Sequence, residues 1–284
     1  MKRILPLLLF LLCGMAAQGH LKLAALHPLL REMGNCVGGE VVETVALYPA
    51  NMELHEFAPD AAAVSAAAGS RLVLAMGKGV EPYLHDLQEN LPPGTELLPL
   101  GDSLPDVRVP GTPYTDPHWW NSPAAMRRAA RVLRDELTEA APEHAEVFAA
   151  GYAAYAARME ELEREARLAF AGLPAERRVL VTEHAALCHF CALFHFTPLA
   201  VQGVSRESEG DTATMARLLT ELRQRRLPCL FTEAYGNPRA LQTLAREVGA
   251  QTRPLVADGV SPEFRDYAAI FRHNVRQIKE GLSR

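Results

Sequence analysis

The chain has 284 residues, of which 49% are hydrophobic and 22% are charged, and its formal net charge at pH 7 is −5. A chain of this length holds one large domain or two modest ones, each with its own core. Because the sequence contains no basic block, we expect neither nucleic acid nor an anionic membrane surface as a partner.

The first 19 residues have the layout of a secretory signal peptide. Two basic residues precede a mostly apolar run, 4–12, and small residues then lead to an expected cleavage position near 17–19. The run is too short to remain as a membrane-spanning helix. We therefore expect export to the periplasm or the extracytoplasmic surface. Whether Cys13 carries a lipid stays open, although Leu12 is bulkier than the residue expected before a lipidated cysteine.

The next block, residues 20–140, alternates between strand and helix patterns. Its predicted strands are 21–26, 41–47, 72–76 and 96–100, and its predicted helices are 28–37, 59–68, 81–91 and 122–139. Such alternation predicts an α/β lobe with a mainly parallel sheet.

A single long helix is predicted from Pro142 to Gly172, within a linking segment at 141–173. Its apolar residues recur at alternating spacings of four and three and form one stripe. The stripe consists of Phe148, Tyr152, Tyr155, Met159, Leu162 and Ala166. A helix of about 30 residues spans about 45 Å, which exceeds the width of one ordinary lobe.

The last block, residues 174–284, repeats the alternation of strands and helices. Its predicted strands are 178–182, 199–203, 229–232 and 252–256, and its predicted helices are 183–194, 211–225, 238–248 and 263–282. The sequence therefore predicts an α/β fold of two lobes with mainly parallel sheets, which one long backbone helix joins. A ligand site is expected in the interlobe cleft, beyond the carboxyl ends of the strands.

Four polar residues follow predicted strand ends and are expected to face that cleft. They are His55, His118, His184 and Asp258. Three imidazole nitrogens and one carboxylate oxygen are ligands that Zn²⁺ accepts in a tetrahedral site. Because these residues lack the close spacing of a zinc finger, the pattern alone does not establish a metal site.

Four motifs carry a resemblance that covers residues 21–282. They are HEFAP at 55–59, DPHWWNSP at 116–123, GVSRESE at 203–209 and FTE at 231–233. In these motifs, and in the long helix between them, the chain resembles the zinc/manganese-specific solute-binding proteins of bacterial ABC importers, the ZnuA/TroA-like family. The resemblance implies a periplasmic monomer that delivers Zn²⁺ to a membrane permease and its ATPase.

The resemblance also implies that His55, His118, His184 and Asp258 bind the metal, with no catalytic residue. Manganese members carry a glutamate at the position of His184, and a third imidazole favours zinc over Mn²⁺. Glu183 precedes His184, so a one-residue shift in the match would favour a manganese- or iron-specific member instead. The histidine-rich loop of many zinc members has no counterpart between 76 and 116.

Two functions from other classes stay open: an exported zinc-dependent hydrolase, and an adhesin of the related cell-adhesion type. A catalytic zinc keeps three protein ligands and an open position for water. No His-Glu-x-x-His motif occurs, and Asp258 would close the fourth position.

We expect Glu207 and Glu233, which lie in the family motifs, to hold loops through hydrogen bonds rather than to touch the metal.

The remaining candidates have structural interpretations. The cysteines of the mature chain are Cys36, Cys188, Cys191 and Cys229. We expect Cys188 and Cys191 to be buried thiols rather than a redox pair, because free cysteine is among the most buried residue types. Whether a disulfide joins either of them to Cys229 stays open.

Trp119 and Trp120 are expected at the wall and core of the cleft. Six of the seven other histidines of the mature chain are expected on surfaces or helix faces: His20, His27, His144, His189, His195 and His273.

Overall fold

The computed structural model describes residues 20–48, 57–203, 212–234, 236–259, 261 and 263–283, with the backbone alone at 212–214. The predicted signal peptide, His55, Glu207 and the start of the helix predicted at 211 lie outside the described residues. Among the residues described, no helix combines the length and the apolar character needed to cross a membrane.

The N-terminal lobe is built on a parallel four-stranded sheet with the strand order β2-β1-β3-β4. The strands are β1 (Leu21–Ala25), β2 (Val42–Ala46), β3 (Leu72–Ala75) and β4 (Glu96–Pro99). The helices are α1 (Pro28–Gly38), α2 (Ala61–Ala66), α3 (Leu84–Asn90) and α4 (Pro123–Ala140). All four residues of β3 are buried, as expected for an apolar strand inside a parallel sheet. These elements confirm the predicted α/β lobe.

The long helix is α5 (Ala145–Phe170), which a 3₁₀ turn at Pro142–His144 precedes. Its buried residues are Phe148, Tyr155, Met159, Leu162, Ala166 and Phe170. The predicted stripe is confirmed except at Tyr152, which is half-buried and carries the Arg134 guanidinium over its ring at 4.8 Å. The helix packs against α1 and α4 of the first lobe and against α9 (Tyr267–Leu282), which also packs on the sheet strands of the second lobe.

The C-terminal lobe contains two parallel strand pairs, β5 with β6 and β7 with β8. The strands are β5 (Val179–Thr182), β6 (Thr197–Ala200), β7 (Cys229–Glu233) and β8 (Gln251–Leu255). The remaining helices are α6 (Cys188–Phe194), α7 (Thr212–Arg225) and α8 (Arg239–Val248). The strand predicted at 199–203 therefore begins two residues earlier and ends three residues earlier. The two-lobe α/β fold with a long central helix is confirmed.

The helix predicted at 183–194 begins only at Cys188, so this part of the prediction is wrong. The chain leaves β5 as a loop because its amides bond across the lobe. The His184 N–H donates to the Glu233 carboxylate at 3.0 Å, and the following N–H donates to the Gly203 carbonyl at 2.9 Å. The loop, rather than a helix, therefore presents His184.

The last helix, predicted at 263–282, begins at Tyr267. Its boundary is set by Asp266, whose carboxylate accepts the Ala269 N–H at 2.8 Å. An aspartate at this position satisfies one of the amides that a helix start leaves without an intrahelical partner.

Close contact between α5 and α1 requires a glycine inside the long helix. A Cβ atom on Gly151 would lie 2.4 Å from the Val37 carbonyl oxygen and 2.6 Å from that of Cys36. Both are backbone atoms, so the helices would have to separate to admit a methyl group.

We expect Gly151→Ala to lower the free energy of unfolding by about 1–2 kcal/mol. Overpacking against backbone atoms costs about 2–3 kcal/mol, and a gain of about 1 kcal/mol in helix propensity offsets part of this cost. Denaturant unfolding curves measure the change. Gly172→Ala is the control, since a Cβ there meets no atom within 4 Å. Equal stability of Gly151→Ala and wild type would contradict the packing argument.

Candidate metal centre

The structure brings three of the four predicted site residues together. His118, His184 and Asp258 each offer a ligand atom within 4.8 Å of the others, and all three are buried. The two histidine Nε2 atoms are 3.2 Å apart, and His184 Nε2 lies 3.8 Å from Asp258 Oδ1. His55 lies outside the described residues, so its place in the centre stays a prediction.

The fold explains why residues so distant in sequence meet. His184 follows β5 by two residues and Asp258 follows β8 by three, so both stand at carboxyl ends of strands. His118, in the first lobe, precedes a 3₁₀ turn at Trp119–Asn121 that leads into α4. Ligands of parallel sheets gather at this edge.

A carboxylate orients the imidazole of His118. Asp116 Oδ1 accepts hydrogen bonds from the His118 backbone N–H at 2.8 Å and from ring atom Nδ1 at 2.6 Å. Its other oxygen, Oδ2, accepts the Cys188 N–H at 2.8 Å. Burial opposes ionisation of Asp116, but the interactions with His118 and His189 hold the pKa of this carboxyl below its ordinary value.

A second carboxylate orients the imidazole of His184. Glu233 Oε2 lies 2.5 Å from His184 Nδ1, and Oε1 accepts the His184 backbone N–H at 3.0 Å. Both side chains are fully buried. The expectation that Glu233 holds a loop is confirmed, and the structure adds that this loop carries a histidine of the cluster.

These contacts set the tautomer of both rings. Carboxylate oxygens only accept hydrogen bonds, so each ring donates its Nδ1–H to a carboxylate, and in the neutral imidazole the lone pair of Nε2 then faces the cluster. Around a tetrahedral Zn²⁺ with bonds of 2.0–2.1 Å, two nitrogen ligands stand about 3.3–3.4 Å apart. The observed 3.2 Å is close to this separation. The separation of the two nitrogen atoms is therefore compatible with one shared cation.

The carboxylate of Glu183 points elsewhere. It accepts the backbone N–H of Glu233 at 3.0 Å and is not part of the cluster. The structure therefore places an imidazole from His184, not a carboxylate from Glu183, beside His118.

The main chain beside Asp258 is held from the first lobe. His27 Nε2 donates to the Asp258 carbonyl at 3.0 Å, and Trp120 Nε1 donates to the Ala257 carbonyl at 2.9 Å. His27 is fully buried, so the expectation of a surface or helix-face position is wrong. It begins α1 as the cap residue, with Nδ1 accepting the Leu29 N–H at 3.1 Å. Burial lowers the pKa of His27 to about 4, so the ring is neutral at pH 7.

The tryptophans and cysteines occupy the places expected for them. Trp119 and Trp120 are buried, and the Trp120 ring lies edge-on to His118 with centroids 5.1 Å apart. Cys188 and Cys191 are buried free thiols. Burial, followed by the charge of Asp116, raises the pKa of the Cys188 thiol well above its ordinary value, which disfavours the reactive thiolate.

Two positioning residues had no role in the sequence interpretation, namely Asp116 and His27. Asp116 stands two residues before a candidate ligand within a recognised motif, and this spacing was a usable signal. For His27 the signal was weaker, because its contact with Asp258 joins residues 231 positions apart.

The fold and the cluster together define a two-lobe α/β protein of the metal-binding, solute-binding class. Chain similarity points the same way. The "Manganese-binding lipoprotein MntA" of Halalkalibacterium halodurans is 26% identical over 93% of this chain and 89% of its own. The "Iron-binding protein YfeA" of Yersinia pestis is 22% identical over 92% of this chain and 86% of its own. The solved structure of the periplasmic zinc binding protein TroA from Treponema pallidum has the same fold, with a TM-score of 0.84 and 23% identity over 94% of this chain and all of that one.

The chain belongs to the family described as zinc-uptake complex component A, periplasmic, whose model matches residues 27–281. This is a family of metal-binding, substrate-binding proteins of ABC transporters. Its members act as the solute-binding components of ABC importers. The relatives above are named for manganese and iron and the solved structure for zinc, so membership alone leaves the metal undetermined.

Proposed function

We propose that this chain is the zinc-binding component of an ABC importer, which carries Zn²⁺ to a membrane permease and its ATPase. The observation that carries the proposal is the pair of imidazoles whose Nδ1 atoms bond to Asp116 and Glu233. Carboxylate partners of this kind fix ligand orientation and raise ligand basicity at metal sites. Asp258 supplies a third ligand, and His55 is proposed as the fourth.

The preference for zinc rests on the third imidazole. His118, His184 and His55 would give three nitrogen donors and one oxygen donor, a set that suits Zn²⁺ better than Mn²⁺, which prefers oxygen ligands. The burial of His184 beside His118, with Glu183 turned away, supports this set. A manganese- or iron-specific member is the alternative that the named relatives keep open.

Four ligands from two lobes would enclose the ion and leave no position for a reacting water, which supports transport over hydrolysis.

The proposed location is the periplasm or the extracytoplasmic surface, reached with the signal peptide at 1–19. We propose a monomer as the working form. Several curated relatives are named as lipoproteins, a description that bears on Cys13 only as a proposal.

Elemental analysis of the purified mature protein, followed by competition titration, tests the proposal. We expect one Zn²⁺ per chain and retention of Zn²⁺ when equal Mn²⁺ is supplied. Preferential retention of Mn²⁺ would support the alternative within the family. Failure to retain any metal would overturn the proposed function.

The affinity for Zn²⁺ is expected to fall as the pH drops from 7.5 to 5.5. Metal binding requires neutral imidazoles, so protons compete with the ion, and imidazole titrates near pH 6.5. Affinity falls at low pH because each histidine ligand that has taken up a proton must lose it before the ion binds. Competition titrations at fixed ionic strength measure the effect. Constant affinity across this range would contradict a site made mainly of histidines.

A further inference from the structure

Three side chains of the first lobe donate hydrogen bonds to the backbone of the loop that carries Asp258. We call this set the interlobe clasp and define it as His27, Trp120 and Asn121. His27 Nε2 donates to the Asp258 carbonyl at 3.0 Å, while Trp120 Nε1 and Asn121 Nδ2 each donate to the Ala257 carbonyl at 2.9 Å. All three donors are buried, where a hydrogen bond is electrostatically stronger than in water.

The contact surface around the clasp is tightly fitted. The His27 ring stacks against the rings of Tyr48 and Trp120, with centroid distances of 5.8 and 6.0 Å. Gly259, which follows Asp258, has a φ of +71°, and a Cβ there would lie 3.3 Å from His27 Cε1 and 3.2 Å from Trp120 Cδ1. The turn after Asp258 therefore rests directly on the clasp.

The clasp links two candidate ligands that belong to different lobes. Trp120 and Asn121 lie two and three residues after His118, in the same 3₁₀ turn. Asn121 Nδ2 also donates to the Ala186 carbonyl at 2.9 Å, two residues after His184. The backbone beside Asp258 and the backbone beside His184 are thus both fastened to the segment that carries His118.

We propose that the interlobe clasp, with His27 at its centre, sets the position of the Asp258 carboxylate before the ion arrives. His27 is then a positioning residue, which touches the Asp258 backbone and not the ion. This inference rests on the proposed metal-binding function. Loss of its hydrogen bond lowers the affinity for Zn²⁺, because a ligand that must be ordered during binding contributes less. Changes to outer-shell partners of metal ligands cost about 10- to 100-fold in affinity.

The two ring nitrogens of His27 make different hydrogen bonds, Nε2 to the Asp258 carbonyl and Nδ1 to the Leu29 N–H. Two substitutions each keep one of these hydrogen bonds and remove the other. His27→Asn keeps an acceptor near Nδ1 for the Leu29 N–H, and asparagine is a good helix cap, but its amide does not reach the Asp258 carbonyl. His27→Gln keeps an amide donor near Nε2 and caps the helix poorly. Both variants lose the stacked ring equally, so each is the control for the other.

Competition titration with Zn²⁺ and thermal unfolding without metal test the clasp. We expect His27→Asn to bind Zn²⁺ about 10- to 100-fold more weakly, and His27→Gln to bind near the wild-type affinity but with a Tm lower by a few degrees. Equal affinities of the two variants, or weaker binding by His27→Gln, would overturn the inference. Wild-type protein that binds no Zn²⁺ would instead overturn the proposed function on which the inference rests.

A double-mutant cycle shows whether His27 acts through Asp258. In an Asp258→Ala background, His27→Asn should cause no further loss of Zn²⁺ affinity, because the carboxylate that it positions is gone. A full additional loss in that background would show a general structural effect and overturn the inference.

Trp120→Phe removes another clasp donor while keeping an aromatic ring. We expect this variant also to bind Zn²⁺ more weakly than the wild type. Unchanged Zn²⁺ affinity would count against the clasp.

Discussion

Substitution of His184 by alanine is expected to abolish zinc loading. His184 Nε2 stands 3.2 Å from His118 Nε2 and 3.8 Å from Asp258 Oδ1, so it is close to both of the other described donors. Removal of this nitrogen leaves no set of three ligands among the described residues. The loss should exceed the roughly 10- to 100-fold that changes to outer-shell partners produce. Elemental analysis and competition titration with Zn²⁺ measure it.

Thermal unfolding gives a second readout for His184→Ala. Zinc binding stabilises only the folded chain, by about 2.7 kcal/mol when the free ion is present at 100 times its dissociation constant. The wild-type Tm should therefore rise on addition of Zn²⁺, and the variant Tm should not.

His144→Ala is the control for that experiment. His144 directly precedes α5, lies half-buried with its ring centroid 6.1 Å from that of Phe148, and is not part of the cluster. This variant should keep its zinc. Full zinc loading of His184→Ala would show that the metal binds elsewhere in the chain.

The sequence predicted the long helix and the places of two candidate ligands because both depend on local rules. The stripe from Phe148 to Ala166 follows from helix periodicity, and only Tyr152, which carries the Arg134 guanidinium over its ring, is half-buried rather than buried. His184 and Asp258 were found because parallel strands gather their carboxyl ends at one edge.

The rest of the centre depends on contacts between distant residues, which local patterns do not encode. The loop before α6 was predicted as part of a helix, whereas hydrogen bonds to Glu233 and Gly203 keep it in a non-helical conformation. His27 looked like an ordinary histidine before a proline, and only the folded chain places it against Asp258. Tertiary hydrogen bonds, rather than intrinsic propensity, decided both positions.

The second large effect is expected from Glu233→Gln, which changes only one atom of a buried side chain. Glu233 accepts two hydrogen bonds from His184, one at the backbone N–H and one at Nδ1. A glutamine can accept the first with its oxygen, but it then presents an NH₂ donor to the ring. The ring must respond by moving its proton to Nε2, and a protonated Nε2 cannot bind a metal.

We therefore expect Glu233→Gln to fold with little loss of stability and to bind Zn²⁺ at least about 100-fold more weakly, the upper end of the range for outer-shell changes. The proton shift has its own signature, since ¹⁵N chemical shifts of the His184 ring distinguish the two tautomers. Glu183→Gln is the matched control: Glu183 is equally buried and bonds to the Glu233 backbone instead of to an imidazole. If both glutamine variants lost affinity alike, the loss would come from charge or packing. Loss confined to Glu233→Gln, with the altered tautomer, would establish that this carboxylate keeps His184 in its metal-binding form.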